Sequence, residues 1–343
     1  MRLFTVLYLF ATALMIRAAD SGADQLIHVR AENFLVSPST GPVTHIAVRN
    51  SQTTAFKGTL RAQFPNGWKV TPAQHEFELQ PGEMKRLAFT VESGTDNSAN
   101  RYPVTVTVEG NGGKTEISQT VVCASTPYFK PVIDGDLADW NDAIPIAFTT
   151  GGRQTVVRTY WSKKLFCLAV EVEEDTLTGL EAAAGGIGMD AVLVAVGPAE
   201  ASSPDGKPAR YEFLAVSSTA SATGGICLMR KSVPQADTAA SIQAENCTEA
   251  KIAVKRVGRI TFYELSIPLS LMPELRPDAG REYRFGLLVQ DADGTGLRDL
   301  GDVMNLWPEH RRPHVWGNWP QINWGSKPPA DGSIEFGFCS SIH

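Results

Sequence analysis

The feature that most constrains this chain is a repeated alternation of apolar and polar residues in short runs separated by turn residues. Val, Thr and Ile dominate these runs, which include HIAVRN, RLAFTVE, YPVTVTVEG, LFCLAVEVEE and YELSIPL. A period of two places side chains on alternate faces of a strand, whereas a helix needs a period of 3.6 residues. Only LADWNDA and LSLMPEL suggest a helical turn. The sequence therefore predicts an all-β protein.

Two domains are expected from the length and from the spacing of the turns. A chain of 343 residues exceeds the usual size of a single domain. About seven predicted strands fill residues 24–123, which is the size of an Ig-like β-sandwich. Residues 124–131 contain two prolines and no periodicity, and we interpret them as a short stiff linker. Residues 132–343 then form a second, larger β-sandwich of the jelly-roll or Ig-like type.

Residues 1–19 have the pattern of a secretory signal peptide. Arg2 precedes an apolar run from Leu3 to Ile16, and the small residues Ala18 and Ala19 follow it. The run is shorter than the ~20 residues that span a bilayer. We therefore expect a secreted or periplasmic protein without a membrane span.

The charge balance and the cysteines limit the partners and cofactors. The net charge of −6 argues against nucleic acid, which needs positive charge on its partner. The five cysteines have neither C-x-x-C nor zinc-finger spacing. Cys227 and Cys247 are a plausible bridge in an oxidising compartment, and a buried apolar thiol explains each cysteine equally well.

The segments VRNSQTTAFKGTLRAQFPNGWKVTP, FELQPGEMKRLAFTVE and NRYPVTVTVEG cover most of residues 40 to 110. In this order they resemble the Ig-like domain found beside sugar-binding modules in some alpha-galactosidases. The resemblance implies a spacer or packing domain in which Trp68 plugs the core.

A second series of motifs runs from about Pro131 to Asp302. Its pieces are PVIDGDLADWNDA, VVRTYWSKKLFCLAVEVEED, GMDAVLVAVGP, FYELSIPLSLM and YRFGLLVQDADGTGLRD. This series resembles the family 9 carbohydrate-binding modules, which are secreted β-sandwiches that hold sugars without cleaving them. The resemblance implies that a polysaccharide or oligosaccharide is the partner of this chain.

Half of the sugar clamp of that family is missing. Its members hold a terminal sugar between two tryptophans, one before the strand that begins with Asp-x-Val and one in a loop near the C-terminus. At the first position this chain reads GGIGMD, without an aromatic residue. Where the family places a sugar-binding arginine, this chain reads YEFLAV.

The segment NLWPEHRRPHVWGNWPQINWG carries the candidate sugar contacts. Its glycines and prolines predict an irregular, superficial segment. Flat rings with polar groups at their rim suit a sugar, which has a C–H face and an edge of hydroxyls. The candidate carbohydrate-binding residues are Trp307, Trp316, Trp319, Trp324, Arg312 and Asn318. The alternative is a C-terminal arm that these indoles fasten over the sandwich or against the Ig-like domain.

Four other residues of the second series have a structural interpretation. We expect Trp140 to plug the base of the sandwich, with its N–H on a carbonyl, and Trp161 to lie in the core. Asp190 and Glu264 are expected to cap turns or to pair across strands.

The loop DADGTGLRDLGD predicts either a calcium site or a sharp hairpin. Its acids and glycine follow the EF-hand spacing, with Asp291, Asp293 and Asp299 as metal ligands, but a strand precedes it where an EF-hand has a helix. The resemblance to family 9 supports calcium, because such modules can carry it. A haem bound by Met189 together with His310 or His314 as iron ligands is disfavoured, because the spacing of these residues is unconstrained and does not indicate a haem site.

The predicted function is that of a secreted, non-catalytic carbohydrate-binding protein attached to polysaccharide recognition or breakdown. The sequence contains no nucleophile elbow, phosphate loop or dinucleotide fingerprint, so we predict that it is not an enzyme. Two alternatives remain open. One is a structural or assembly sandwich that binds a protein neighbour, and the other is an accessory domain of a glycoside hydrolase system.

Overall fold

The computed structural model describes residues 27–111, 113–182, 188–200, 209–232, 245–307 and 337–342. These segments consist of β-strands, turns and short 3-10 helices, with no α-helix among them. The prediction of an all-β protein is therefore confirmed. None of the described segments contains a helix long and apolar enough to cross a membrane.

The N-terminal half is a sandwich of two four-stranded antiparallel sheets. Its strands are β1 (Ile27–Ala31), β2 (Val43–Asn50), β3 (Phe56–Gln63), β4 (Lys69–Thr71), β5 (Gln74–Leu79), β6 (Met84–Ser93), β7 (Tyr102–Gly110) and β8 (Gly113–Val121), with a 3-10 turn at Pro38–Thr40. One sheet has the order β1-β2-β6-β4, and the other has the order β5-β3-β7-β8. The structure has eight strands in this sandwich, where the sequence predicted about seven.

The alternation seen in the sequence decides which side chains fill this sandwich. In β7 the buried positions are Tyr102, Val104, Val106 and Val108, and the positions between them are partly or fully exposed. This is the two-residue period of a strand with one face on the core. Trp68 packs against this layer at 5.5 Å from Tyr102, which confirms its predicted role as a core plug.

The C-terminal half is a larger sandwich. Its strands are β9 (Ser125–Thr126), β10 (Ile146–Thr150), β11 (Arg153–Trp161), β12 (Leu165–Glu173), β13 (Ala191–Pro198), β14 (Arg210–Ser217), β15 (Gly225–Ser232), β16 (Glu245–Asn246), β17 (Lys251–Val257), β18 (Ile260–Pro268), β19 (Glu282–Asp291), β20 (Gly296–Asp299) and β21 (Gly337–Ser341). Short 3-10 turns lie at Leu137–Trp140, Leu269–Leu271 and Leu300–Asp302. One sheet has the order β10-β11-β12-β18-β17. The other has the order β16-β15-β14-β13-β19-β21-β9, with β20 paired to β19.

Strand β12 reads as a nearly continuous apolar run because both of its faces are covered. Phe166, Leu168 and Val170 point into the core between the two sheets. Cys167 and Ala169 point the other way, into a small second core that includes Trp140. The segment after β9 thus lies over the outer face of this sheet.

The segment predicted as a linker, residues 124–131, is structured in its first half. Ser125 and Thr126 are buried, and β9 pairs in parallel with β21. Asn100 holds Cys123, the residue before this segment, because the side-chain oxygen of Asn100 accepts from the Cys123 amide at 2.7 Å. The same side chain donates to the carbonyl of Pro145 at 2.9 Å, which ties the N-terminal sandwich to the C-terminal one. The stretch from Pro127 onward lacks a strand, although Tyr128 forms an isolated parallel bridge with Trp161.

All five cysteines are buried free thiols, as the apolar interpretation predicted. Cys227 and Cys247 lie opposite each other where β15 meets β16, and the Cys247 amide donates to the Cys227 carbonyl at 2.8 Å. A hydrogen bond with the Cys227 thiol lowers the pKa of Cys247 to about 7. Burial raises the pKa of Cys123 and of Cys167 to about 11. The bridge considered between Cys227 and Cys247 is not formed in this structure.

Candidate functional site

An open groove with a volume of about 750 Å³ lies beside the outer face of the five-stranded sheet. We call it the Tyr128 groove. Its lining residues are Tyr128, Lys130, Pro131, Val132, Ile133, Ser162, Lys163, Lys164, Leu165, Glu249, Lys251, Ser266 and Pro268. The groove therefore combines an aromatic ring, apolar walls and several charged side chains, which is the composition of a small-ligand site.

Regular structure places the two walls of the groove. On one side, the turn between β11 and β12 is closed by Ser162 and Leu165, with the Ser162 amide donating to the Leu165 carbonyl at 2.8 Å. On the other side, the Phe129 amide donates to the Trp161 carbonyl at 2.9 Å, which holds the chain at Tyr128 against the end of β11. Both walls are thus anchored on one strand.

The aromatic residues at this end of the domain form two contacts with the sheet. Tyr128 is 40% exposed and meets buried Trp161 edge to face at 4.8 Å. Phe129 is 45% exposed and lies 5.1 Å from Tyr160, which in turn stacks on Trp140 at 5.0 Å. Exposed rings held by buried rings offer a preorganised flat surface.

Trp140 supports the groove from below through a buried polar contact. Its indole N–H donates to the carboxylate of Glu264 at 2.7 Å. Glu264 also accepts from the amides of Asp134 and Gly135, and burial raises its pKa. The core roles predicted for Trp140 and Trp161 are confirmed, although the partner of the Trp140 indole is a carboxylate where we expected a carbonyl.

Two further cavities also combine aromatic, apolar and charged residues, and they differ from the Tyr128 groove in the exposed aromatic ring that they present. One, of about 690 Å³, is lined by residues of both charges, including Glu274, Arg276 and Arg281. The other, of about 500 Å³, lies between the two sandwiches, with Arg86, Glu282 and Met304 in its lining. The aromatic residue that lines both cavities is Phe338, whose ring lies under the guanidinium of Arg284 at 5.6 Å.

A cluster of three buried carboxylates lies apart from the groove, where β12, β13 and β19 end or begin. The carboxyl oxygens of Glu174, Asp190 and Asp291 lie within 4.8 Å of one another. Glu174 Oε2 and Asp291 Oδ1 are buried without a hydrogen-bond partner. Burial raises the pKa of Glu174 to about 7 and that of Asp190 to about 6.

Two arginines supply positive charge to this carboxylate cluster. Arg298 is fully buried and donates to Asp291 and to the carbonyl of Glu173. Arg256 donates to Glu174 at 3.1 Å. The burial of three acids is therefore compensated in part by side chains of the chain itself.

The three predicted calcium ligands each have another partner. Asp291 accepts from Arg298 and Thr295, Asp293 accepts from Thr176, and Asp299 caps a 3-10 turn by accepting from the Gly301 amide at 2.8 Å. Asp291 and Asp299 lie on the two strands of the β19–β20 hairpin, at non-opposed positions. The hairpin interpretation of this loop is confirmed, and the calcium site stays a prediction.

The carboxylate cluster gives a prediction about pH. A carboxyl group with a raised pKa in the folded state binds more protons when folded, so its contribution to stability is lost as pH rises. We therefore expect the stability of Glu174→Gln relative to the native chain to be greater at pH 8 than at pH 4. Between these two pH values, the difference in the free energy of unfolding between variant and native chain should grow by about 1 to 3 kcal/mol in favour of the variant. Urea unfolding of both proteins across this range measures the difference. Parallel stability curves for the two proteins would contradict the expectation.

Among the predicted carbohydrate-binding residues, the structure describes Trp307. Its ring is 7% exposed and lies under the guanidinium groups of Arg30 at 5.3 Å and Arg49 at 4.8 Å, on the N-terminal sandwich. Asn305, two residues earlier, donates to the carbonyl of Thr120 at 3.0 Å. The other candidates, Trp316, Trp319, Trp324, Arg312 and Asn318, lie outside the described residues, so the role of this set stays a prediction.

Sequence reasoning missed the Tyr128 groove. Tyr128 and Lys130 fall in the segment interpreted as a linker, and Lys163 and Lys164 fall in a hairpin turn. The signal present in the sequence was the short run Tyr128-Phe129-Lys130, in which two aromatic residues precede a cation between prolines.

The sequence model of the NPCBM-associated, NEW3 domain of alpha-galactosidase matches residues 39–110. This match confirms the resemblance predicted for the N-terminal sandwich. No curated protein matches the chain.

Several solved structures are similar to this chain. A family 9 carbohydrate-binding module from Caldicellulosiruptor kristjanssonii in complex with glucose is 15% identical, with a TM-score of 0.38, over 63% of this chain and 94% of the module. The complex of such a module with cellotriose is 16% identical, with a TM-score of 0.39, over 64% and 92% of the two chains. The E. coli chaperone DraB is 14% identical, with a TM-score of 0.21, over 43% and 91%. The family predicted for the C-terminal sandwich is thus among the similar structures.

Proposed function

We propose that this chain is an exported, non-catalytic carbohydrate-binding protein that uses the Tyr128 groove as its main contact surface. The motif series from Pro131 to Asp302 supports this function, as does the match of residues 39–110 to a domain associated with alpha-galactosidase. In this proposal the N-terminal sandwich is a packing partner, and the C-terminal sandwich holds the sugar.

The observation that carries the proposal is an exposed ring beside polar side chains on a rigid sheet edge. Tyr128 offers a flat surface for the C–H face of a sugar, and Ser162, Glu249 and the lysines of the groove offer partners for hydroxyl groups. Because the groove is open, it buries less of a ligand than a closed pocket does, so binding is expected to be weak.

A second candidate function is a structural or assembly module that binds a protein neighbour. The packing of Trp307 against Arg30 and Arg49 favours it, because one end of the C-terminal arm is then fastened to the N-terminal sandwich. The Trp161 indole fastens the other end by donating to the carbonyl of Ile342 at 2.9 Å. In that function the remaining tryptophans of the arm would be packing residues.

Calorimetric titration of the full chain with soluble oligosaccharides tests the proposal. We expect Tyr128→Ala to weaken binding about tenfold, because a ring contact is worth up to about 1.5 kcal/mol beyond its buried area. Phe338→Ala is the matched control, since Phe338 is 41% exposed but lies outside the groove. The circular dichroism spectra of both variants should match that of the native chain.

The same titration tests the tryptophans predicted from the sequence. If Trp316, Trp319 or Trp324 contacts sugar, its replacement by alanine lowers the affinity and leaves the fold intact. If all three replacements unfold the C-terminal sandwich and no glycan binds the native chain, the structural module is the correct function.

A further inference from the structure

The Tyr128 groove carries a cluster of lysines that we call the lysine rim. Its members are Lys130, Lys163, Lys164 and Lys251, and all four are exposed. Glu249 is the acid in the groove lining, so the charged side chains of the groove sum to three positive charges. The chain as a whole has a net charge of −6, so its composition does not explain this local excess.

The lysines of the rim differ in their pairing from three other exposed lysines, although Lys57 and Lys255 likewise form no ion pair with a described residue. Lys69 pairs with Glu92, Lys85 pairs with Glu83 at 3.4 Å, and Lys114 pairs with Glu116 at 3.1 Å. None of the four rim lysines forms an ion pair with another described residue. Their ammonium groups are therefore available to an external anion.

The local fold does not demand lysine at the turn of this groove. Two-residue turns between antiparallel strands favour Asn, Asp and Gly. Here Lys163 and Lys164 occupy the turn between β11 and β12, and the Lys164 carbonyl accepts from the Leu269 amide at 2.9 Å. A backbone contact of this kind is independent of the side chain. Lys251 lies on the edge strand β17, where a lysine also discourages edge-to-edge association.

We propose that the Tyr128 groove binds an anionic saccharide, with a sugar ring on Tyr128 and carboxylate or sulfate groups on the lysine rim. This inference rests on the proposed carbohydrate-binding function and adds the charge class of the ligand. The ammonium group of lysine is a compact point charge that binds either a carboxylate or a sulfate. The ligand class is therefore defined by what the two anions share, an acidic group on a pyranose ring. Neutral sugars would use the same ring without the charge contacts.

The experiment is calorimetric titration of the full chain with three oligosaccharides of equal length: an oligogalacturonate, a sulfated oligosaccharide and a neutral oligosaccharide. Because several exposed ion pairs, each of them weak, form together on the lysine rim, we expect at least one anionic ligand to bind about tenfold more tightly than the neutral one at low salt. The preference should vanish at ~1 M salt, where the Debye length is about 3 Å.

The double variant Lys163→Gln/Lys164→Gln should lower the affinity for the anionic ligand about tenfold and that for the neutral ligand by a clearly smaller factor, so that most of the preference is lost. Lys57→Gln, at an exposed position of β3 in the N-terminal sandwich, is the control for a loss of one charge and should change nothing. The response to the oligogalacturonate and the response to the sulfated ligand distinguish the two sources of negative charge.

The outcomes separate this inference from the proposed function. If neutral and anionic ligands bind equally and the double variant has no effect, the charge preference is wrong, while carbohydrate binding stands. If no saccharide binds, both are wrong. If vesicles of anionic phospholipid or single-stranded RNA compete with the oligogalacturonate more strongly than the sulfated ligand does, the groove is a general polyanion surface and the inference is overturned.

Discussion

Replacement of Arg298 by methionine should destabilise the protein by about 3 to 5 kcal/mol, because it leaves a buried carboxylate cluster without its main cation. Arg298 is 0% exposed and donates to Asp291, to Thr155 Oγ1 and to the carbonyls of Gln154 and Glu173. Methionine fills similar space without a charge or a donor. Urea unfolding at pH 7, followed by circular dichroism, measures the loss.

A matched control shows whether burial is the reason for the effect of Arg298→Met. Arg61 pairs with Glu109 at 3.4 Å, and its side chain is 55% exposed. Because exposed ion pairs contribute about 0 to 1 kcal/mol, Arg61→Met should change stability by less than that. Asp291→Asn combined with Arg298→Met should recover part of the loss. Equal effects of the two arginine variants would contradict this account of the carboxylate cluster.

Replacement of Trp140 by alanine should cost about 3 to 5 kcal/mol of stability, which is the usual loss for a large aromatic residue in a core. Trp140 is 1% exposed and stacks on Tyr160. Its loss leaves a cavity below the groove and removes a hydrogen bond from Glu264. The same variant should therefore weaken sugar binding, since Ile133 and Leu165 of the groove pack against this small core.

The variant Trp140→Phe separates the ring from the indole N–H. Phenylalanine keeps an aromatic ring against Tyr160 but leaves the Glu264 oxygen without its donor, at a cost of about 1 to 3 kcal/mol. The loss should shrink at low pH, because a protonated Glu264 no longer buries a negative charge. If Trp140→Phe is as stable as the native chain, the hydrogen bond to Glu264 contributes nothing to stability.

The sequence was sufficient to predict the strands and the two sandwiches, because alternation and apolar runs are local signals. In β7 and β12 the pattern of Val, Thr and Leu corresponds directly to the burial of the side chains. The sequence did not indicate that residues 124–131 contain both a short strand, β9, and a following stretch without a strand. Whether Ser125 and Thr126 pair with β21 depends on residues more than two hundred positions away.

The polar sites could not be predicted from spacing, since they join distant residues. Glu174, Asp190 and Asp291 come from three parts of the chain, and the loop at Asp291 has an EF-hand spacing that the hairpin geometry does not use. The Tyr128 groove likewise combines a segment before β10 with the β11–β12 turn and the start of β17. A single sequence gives no register between such segments.

We propose the Tyr128 groove as the sugar-binding surface of this protein. A crystal structure of the full chain, grown with an oligosaccharide that binds in solution, tests this claim most directly. We expect a pyranose ring against the Tyr128 side chain, with its polar groups facing Ser162 and the lysine rim. Clear density for the sugar on another surface, with the groove free of ligand, would contradict it.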